Sequence, residues 1–212
     1  MQTIFFKNKP RLVATGTIAG PKESAGVVGK YVDKTLTDDM FGESTYEKAE
    51  CKMLTYAIQQ AIENAGACEK DVDMLVSGDL LNQIISASFA ARDFNFPFLG
   101  VYGACSTLAE SIALAAAFIN AGYYQKIVAA TGSHFATAER QYRYPLELGN
   151  TRPPQAQWTV TGAGGVFIAD MGATNANIAV ECATFGKVVD FGITDVNNMG
   201  AAMAPYVGII GI

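Results

Sequence analysis

The sequence predicts an α/β fold built on a mostly parallel sheet whose last strands pair antiparallel. Three observations carry this. β-branched runs alternate with helical patterns through roughly the first 130 residues, the signature of strand–helix–strand crossovers. Beyond that point strands cluster without intervening helices. Between the two regions, residues 108–121 carry Leu, Ile, Ala and Phe on nearly every face, which reads as a helix buried on all sides. Such a helix needs layers above and below it, more than a three-layer sandwich supplies.

Each element has its own signal. Residues 11–19 (RLVATGTIA) form a β-branched run stopped by Gly20-Pro21, hence a strand. Residues 20–43 mix Gly, Asp and Lys and read as an excursion over the surface. Ser44 and Glu47 make an S-x-x-E capping box. Leu54, Ile58, Ala61, Ile62 and Ala65 then recur at helical spacing, and Gly66 suits the C′ position. Strands are predicted at 72–77, 98–102 and 126–131, and a helix at 80–92, ended before Asn95-Phe96-Pro97. Later strands are predicted at 158–161, 165–170, 178–184 and 188–191. The run Thr161-Gly-Ala-Gly-Gly165 lacks the order of a phosphate loop and reads as a close turn between two of them.

Composition excludes several functions. Half of the 212 residues are hydrophobic and 17% are charged, enough apolar material for a core. A net charge of −5 argues against nucleic acid, whose phosphates call for a basic face. Residues 101–212 hold 5 basic and 7 acidic side chains, against 10 and 13 in residues 1–100, so the second part should lie deeper. The longest strictly apolar run, residues 112–119, is far short of a membrane span. Residues 1–11 lack the apolar core of a signal peptide. Cys51, Cys68, Cys105 and Cys182 show no metal spacing, and there is one histidine, so no metal or cofactor is expected and the thiols should be reduced.

Three places carry candidate chemistry. Gly103-Ala104-Cys105-Ser106-Thr107 joins a buried strand to the apolar helix. A cysteine there meets unpaired backbone N–H groups and the positive end of the helix dipole, which favour a thiolate or hold a carboxylate. The bland alternative is a small buried side chain at a tight turn. Gly132-Ser133-His134 follows another strand, and ligands of open α/β sheets sit beyond the carboxyl ends of strands. Ser133 and His134 are therefore expected to share a crevice with Cys105, although a lone histidine is as readily structural. Arg140, Arg143 and Arg152, with Glu139 and Glu147 around Tyr142, Tyr144 and Pro145, either grip an anion or form a solvated loop with internal ion pairs.

The words YGACSTLAESIALAAAFI, GSHFATAERQYRYPLE and RPPQAQWTVTGAGG, in that order, resemble the stage V sporulation protein AD family of spore-forming Firmicutes. The resemblance runs from about residue 10 to 205. It implies a thiolase-like αβαβα layered fold, of which residues 1–205 are mainly the N-terminal half, with 206–212 an atypical tail. It places Cys105 where condensing enzymes keep their acyl-accepting cysteine. Those enzymes take their catalytic His from the second half, so no general base is matched here and catalysis is not expected. The resemblance implies instead a binding protein for dipicolinic acid (pyridine-2,6-dicarboxylate), free or as its calcium chelate, with Cys105, Ser133 and His134 as ligand-binding residues. It implies action in dipicolinate uptake into the developing spore, from the forespore cytoplasm, at the inner spore membrane through membrane subunits of the same assembly. A homodimer is implied for the full-length form, with strand 126–131 near the twofold axis. A residual acyltransferase using Cys105, and a structural subunit of the transport assembly, are the alternatives.

Overall fold

The computed structural model describes residues 2–141, 154, 156, 158–187, 189–195, 198 and 200–201. In chain order these form β1 (Gln2–Phe5), β2 (Arg11–Ala19), α1 (Pro21–Ser24), β3 (Lys34–Thr35), α2 (Tyr46–Asn64), β4 (Met74–Asp79), α3 (Ile85–Arg92), β5 (Phe98–Gly100), α4 (Thr107–Asn120), β6 (Lys126–Ser133), α5 (Phe135–Glu139), β7 (Gly162–Ala169), β8 (Ile178–Ala179) and β9 (Cys182–Phe185). A seven-stranded sheet runs β3-β2-β7-β6-β4-β5, with β8 also on β2, and β1 and β9 pair apart from it. β4 is parallel to β5 and β6, whereas β7 is antiparallel to both β2 and β6. The parallel core with a late antiparallel strand is the pattern the sequence predicts.

Strand alternation sorts side chains into two layers. Leu75, Val128 and Ala130 face one way and pack with Leu54 and Ile58 of α2 and Ala87 and Ala90 of α3. Met74, Val76, Ile127 and Ala129 face the other way and pack with Ala115 and Ile119 of α4. The sheet is thus sandwiched between α2/α3 and α4.

Helix α2 starts differently from expectation. Its N-cap is Thr45, whose Oγ1 accepts from the Lys48 N–H at 3.3 Å, and Glu47 bonds Arg140 instead of closing a box with Ser44. Its end is as predicted, with Gly66 at φ 66° just beyond the C-cap Ala65. Gly162, Gly164 and Gly165 do not make a turn; they lie within β7. A Cβ on Gly165 would stand 2.8 Å from the Ala57 carbonyl oxygen, so the missing side chain lets α2 lie close on the sheet.

Three further expectations are corrected. Helix α3 begins at Ile85, because Gln83 and Ile84 have φ of 58° and 67°, outside any right-handed helix. Helix α4 is buried on one face (Thr107, Ser111, Ala115, Ala116, Ile119), while Leu108, Ile112, Leu114 and Phe118 are only partly covered. An Ala-rich helix is apolar all round whether or not both faces are packed. Residues 158–161 and 189–191 are not strand; β7 begins at Gly162. The tail 206–212 and Tyr142, Arg143, Tyr144, Pro145, Glu147 and Arg152 lie outside the described residues.

Candidate functional site

Cys105 lies in a 3-10 turn (Ala104–Ser106) between β5 and α4. The turn ties itself: Ser106 Oγ donates to the Gly103 carbonyl at 2.7 Å, and the Gly103 N–H donates to Thr107 Oγ1 at 3.2 Å. Ala104 sits at φ 49°. Gly78, near the end of β4, has no room for a Cβ against the Val101 carbonyl and the Thr107 methyl. The thiol of Cys105 is free and exposed, so it is not a small core side chain. Among the described residues no side chain caps α4; the Ser106 and Thr107 N–H groups bond back to the Gly103 and Ala104 carbonyls, and the N–H groups that follow in the first turn have no side-chain cap. Glu110, in that first turn, leans its carboxylate over Gly103.

Ser133 and His134 are built into the wall. Ser133 Oγ donates to the Val160 carbonyl at 2.6 Å. His134 is fully buried and caps α5: its Nδ1 accepts from the Ala136 N–H at 3.2 Å, and Nε2 meets the Asp39 carbonyl at 2.9 Å. A carbonyl only accepts, so Nε2 carries the proton and Nδ1 does not. A second proton would break the cap, and burial lowers the pKa of the ring in the same sense. Tyr46 of α2 covers the imidazole with ring centroids 4.9 Å apart.

The structure therefore joins Ser133 to His134 but brings neither to Cys105. β5 and β6 are separated by β4, which puts the two turns about 10 Å apart at the strand ends. The Cys105 turn leads into α4, while His134 packs against Tyr46 of α2. Beside His134 instead is a cleft of about 200 Å³ lined by Lys22, Glu23, Asp39, Phe135, Trp158, Thr159 and Thr161, with the Lys22 ammonium 3.0 Å from the Trp158 ring centroid. Arg140 is bound inward to Glu47 and to Asn82 Oδ1 at 3.4 Å, an internal pair and not a free anion grip.

Sequence reasoning missed a buried polar cluster under the α2/α3 layer. Glu50, Asp79, Asn82, Ser86 and Thr137 are all essentially inaccessible. Glu50 Oε2 accepts from Thr137 Oγ1 at 2.7 Å and from Asn82 Nδ2 at 3.3 Å. Burial, reinforced by the charge of Asp79 and opposed by those hydrogen bonds, pushes the Glu50 carboxyl up to about 7. Burial also raises Asp79, against the pull of backbone N–H groups at the start of α3. Those N–H groups point toward Asp79 without reaching hydrogen-bond geometry, so neither of its carboxylate oxygens has a hydrogen-bond partner. The signal was present in the sequence: Glu50 falls on the apolar stripe with Met53, Leu54 and Ala57, and Asp79 ends an apolar strand.

A family model described as Stage V sporulation protein AD matches residues 1–209. Stage V sporulation protein AD of Bacillus subtilis (strain 168) is 43% identical over 204 residues, which cover 96% of this chain and 60% of that protein. The chain thus spans less than two thirds of that relative. Among solved structures, a fungal type III polyketide synthase superposes with a TM-score of 0.56 at 11% identity, over 79% of this chain and 58% of that one. Acetamide-bound OleA of Xanthomonas campestris gives 0.56 at 11%, over 81% and 61%. The 3-oxoacyl-(acyl carrier protein) synthase III of Xanthomonas oryzae gives 0.52 at 15%, over 81% and 59%. These likenesses show a thiolase-like fold.

Proposed function

The chain belongs to the stage V sporulation protein AD family, and from that premise we propose that it binds dipicolinate, free or as its calcium chelate, for uptake into the developing spore. The observation that carries this reading is the exposed Cys105 at the uncapped start of α4. A planar dianion finds there several backbone donors and the positive end of a helix dipole. Ser133 and His134 serve this site as parts of the strand-end framework, since their polar atoms are engaged within the protein. Glu110 opposes the ligand, because its carboxylate competes for the same donors.

Action at the inner spore membrane, from the forespore cytoplasm, through membrane subunits completes the proposal. No helix among the described residues is long and apolar enough to cross a membrane, so attachment through partners fits. Residues 1–205 act as one half of the layered architecture, and the partly covered face of α4 suits the other half. A homodimer of the longer form belongs to the same reading.

Isothermal titration with dipicolinate tests the site. Cys105→Ala should weaken binding about tenfold, and Glu110→Gln should tighten it severalfold by removing a like charge worth about 1 kcal/mol. Unchanged affinity in both would refute the placement at α4; no dipicolinate binding by the parent chain or by a longer form would refute the function. Acyl transfer is the second reading, favoured by the position of Cys105 alone. Histidine does not serve as its base in these residues, since both nitrogens of the single histidine are engaged within the protein. Covalent capture of an acyl group from acyl-CoA on Cys105 would support it.

A further inference from the structure

We propose that Glu50 and Asp79 share a single proton in the folded chain, and that its release loosens the turn at residues 80–84 and the first turn of α3. Glu50 on α2 and Asp79 at the end of β4 are both buried, with exposures of 1% and 0%, Asn82 lies beside both, and the charge of Asp79 is felt at Glu50. The oxygens of Asp79 have no hydrogen-bond partner, and Glu50 leans on Thr137 and Asn82. Two such carboxylates cannot both be charged without a cation between them. None is supplied among the described residues.

The surrounding charged groups are otherwise committed. On α2, Glu47 pairs with Arg140, and Cys51 is a thiol that burial keeps protonated. Around α5, Arg140 reaches the cluster only through Asn82 Oδ1, Glu139 accepts from the Thr159 N–H, and His134 is neutral. Arg92 closes the far end of α3 and pairs with Asp93. With one proton on the pair, the remaining negative charge faces the backbone N–H groups of Asn82, Ile84, Ser86 and Ala87, a favourable position at a helix start.

The turn that follows Asp79 and joins β4 to α3 is poorly able to absorb a second charge. Gln83 and Ile84 are both held at positive φ, uncommon for residues with side chains and strained for β-branched Ile84. Asn82 Nδ2 bridges Glu50 to Ser86 Oγ, at 3.3 and 2.9 Å, so the turn is pinned to the pair it reports on. Repulsion between two charged carboxylates has its easiest outlet by swinging this turn outward.

Hydrogen exchange by mass spectrometry from pH 5.5 to 8.5 tests the device. After correction for intrinsic exchange, amides of residues 80–92 should lose at least tenfold protection as pH rises through 7, while those of β6 keep theirs. Glu50→Gln should abolish the change. Protection independent of pH in the parent chain, or the same loss in Glu50→Gln, would overturn the proposal. Should the variant fail to fold, carbon-13 titration of the carboxyl groups in the parent chain decides. One group titrating near 7 supports a shared proton, and both titrating below 5 refutes it.

Discussion

Replacing Gly165 by Ala, with Gly164→Ala as its control, measures how far glycine sets the height of α2. The two residues are neighbours in β7 and face opposite sides of the sheet. A Cβ on Gly165 would lie 2.8 Å from the Ala57 carbonyl oxygen, 3.2 Å from its carbon and 3.4 Å from the Ala61 methyl. Ordinary contact begins near 3.4 Å, so the new methyl intrudes by about 0.6 Å on helix backbone, which cannot rotate away as a side chain would. α2 must lift or the strand must bend. Gly16 on β2 meets the same turn of α2 still more closely, so tilting the helix gives little relief. Overpacking of this kind costs about 2–3 kcal/mol, or a fall of roughly 4–12 °C in Tm for a domain of this size. At Gly164 nothing lies within 4 Å of a built Cβ, so Ala there should change stability by less than about 0.5 kcal/mol. Differential scanning calorimetry of both variants is the assay. Equal Tm values for Gly165→Ala and Gly164→Ala would refute close approach as the reason for the glycines.

The remaining predictions are briefer. The folded chain holds on Glu50 a proton that the unfolded chain releases at an ordinary 4.5, so this group's contribution to stability is best below pH 4.5 and falls as pH rises to about 7. At 1.36 kcal/mol per pKa unit the loss is about 3 kcal/mol, and urea titrations across that range should show it in the parent chain and not in Glu50→Gln. His134→Ala should cost about 2–4 kcal/mol, since it removes the cap of α5 and the bond to the Asp39 carbonyl and leaves a cavity; a Tm within 1 °C of the parent would show the ring to be dispensable. Iodoacetamide should alkylate exposed Cys68, Cys105 and Cys182 well before Cys51, whose thiol is half-buried and pushed up by that burial; peptide mapping over time checks the order.

What was legible in the sequence is what periodicity and rare words carry. The alternation of β-branched and helical runs located β2, α2, α4 and β6 within one or two residues, and the run around Cys105 identified both the family and the turn. What was not legible depends on the third dimension. The glycines at 162, 164 and 165 read as a turn in one dimension, but Gly165 marks a helix lying overhead. An alanine-rich helix is apolar on every face, so its pattern cannot say which faces are covered. The pairing of β1 with β9 joins residues about 180 apart, and nothing local announces it. Nor does the strand ladder announce that β7, last of the long strands, inserts between β2 and β6.

The end of β4 explains why the candidate site and the acid cluster are distinct yet adjacent. Side chains alternate along a strand, so Gly78 faces α4 and Asp79 faces α2 and α3. Gly78 is bare because the Val101 carbonyl and Thr107 occupy its side, and these hold the turn that carries Cys105. Asp79, one residue on, carries the charge that Glu50 must accommodate. A one-residue slip of β4 would bury a carboxylate against the start of α4 and leave the other layer without its acid, so register here fixes both features at once. The same strand end also limits how the two communicate. Gly78 is paired to Thr131 on β6 and Asp79 to Gly132, in the interior of the sheet, so motion in the 80–84 turn reaches the Cys105 turn through backbone at a place held on one side by β6. A substitution in the acid cluster should therefore alter the mobility of α3 far more than the reactivity of Cys105, unless the sheet itself gives way.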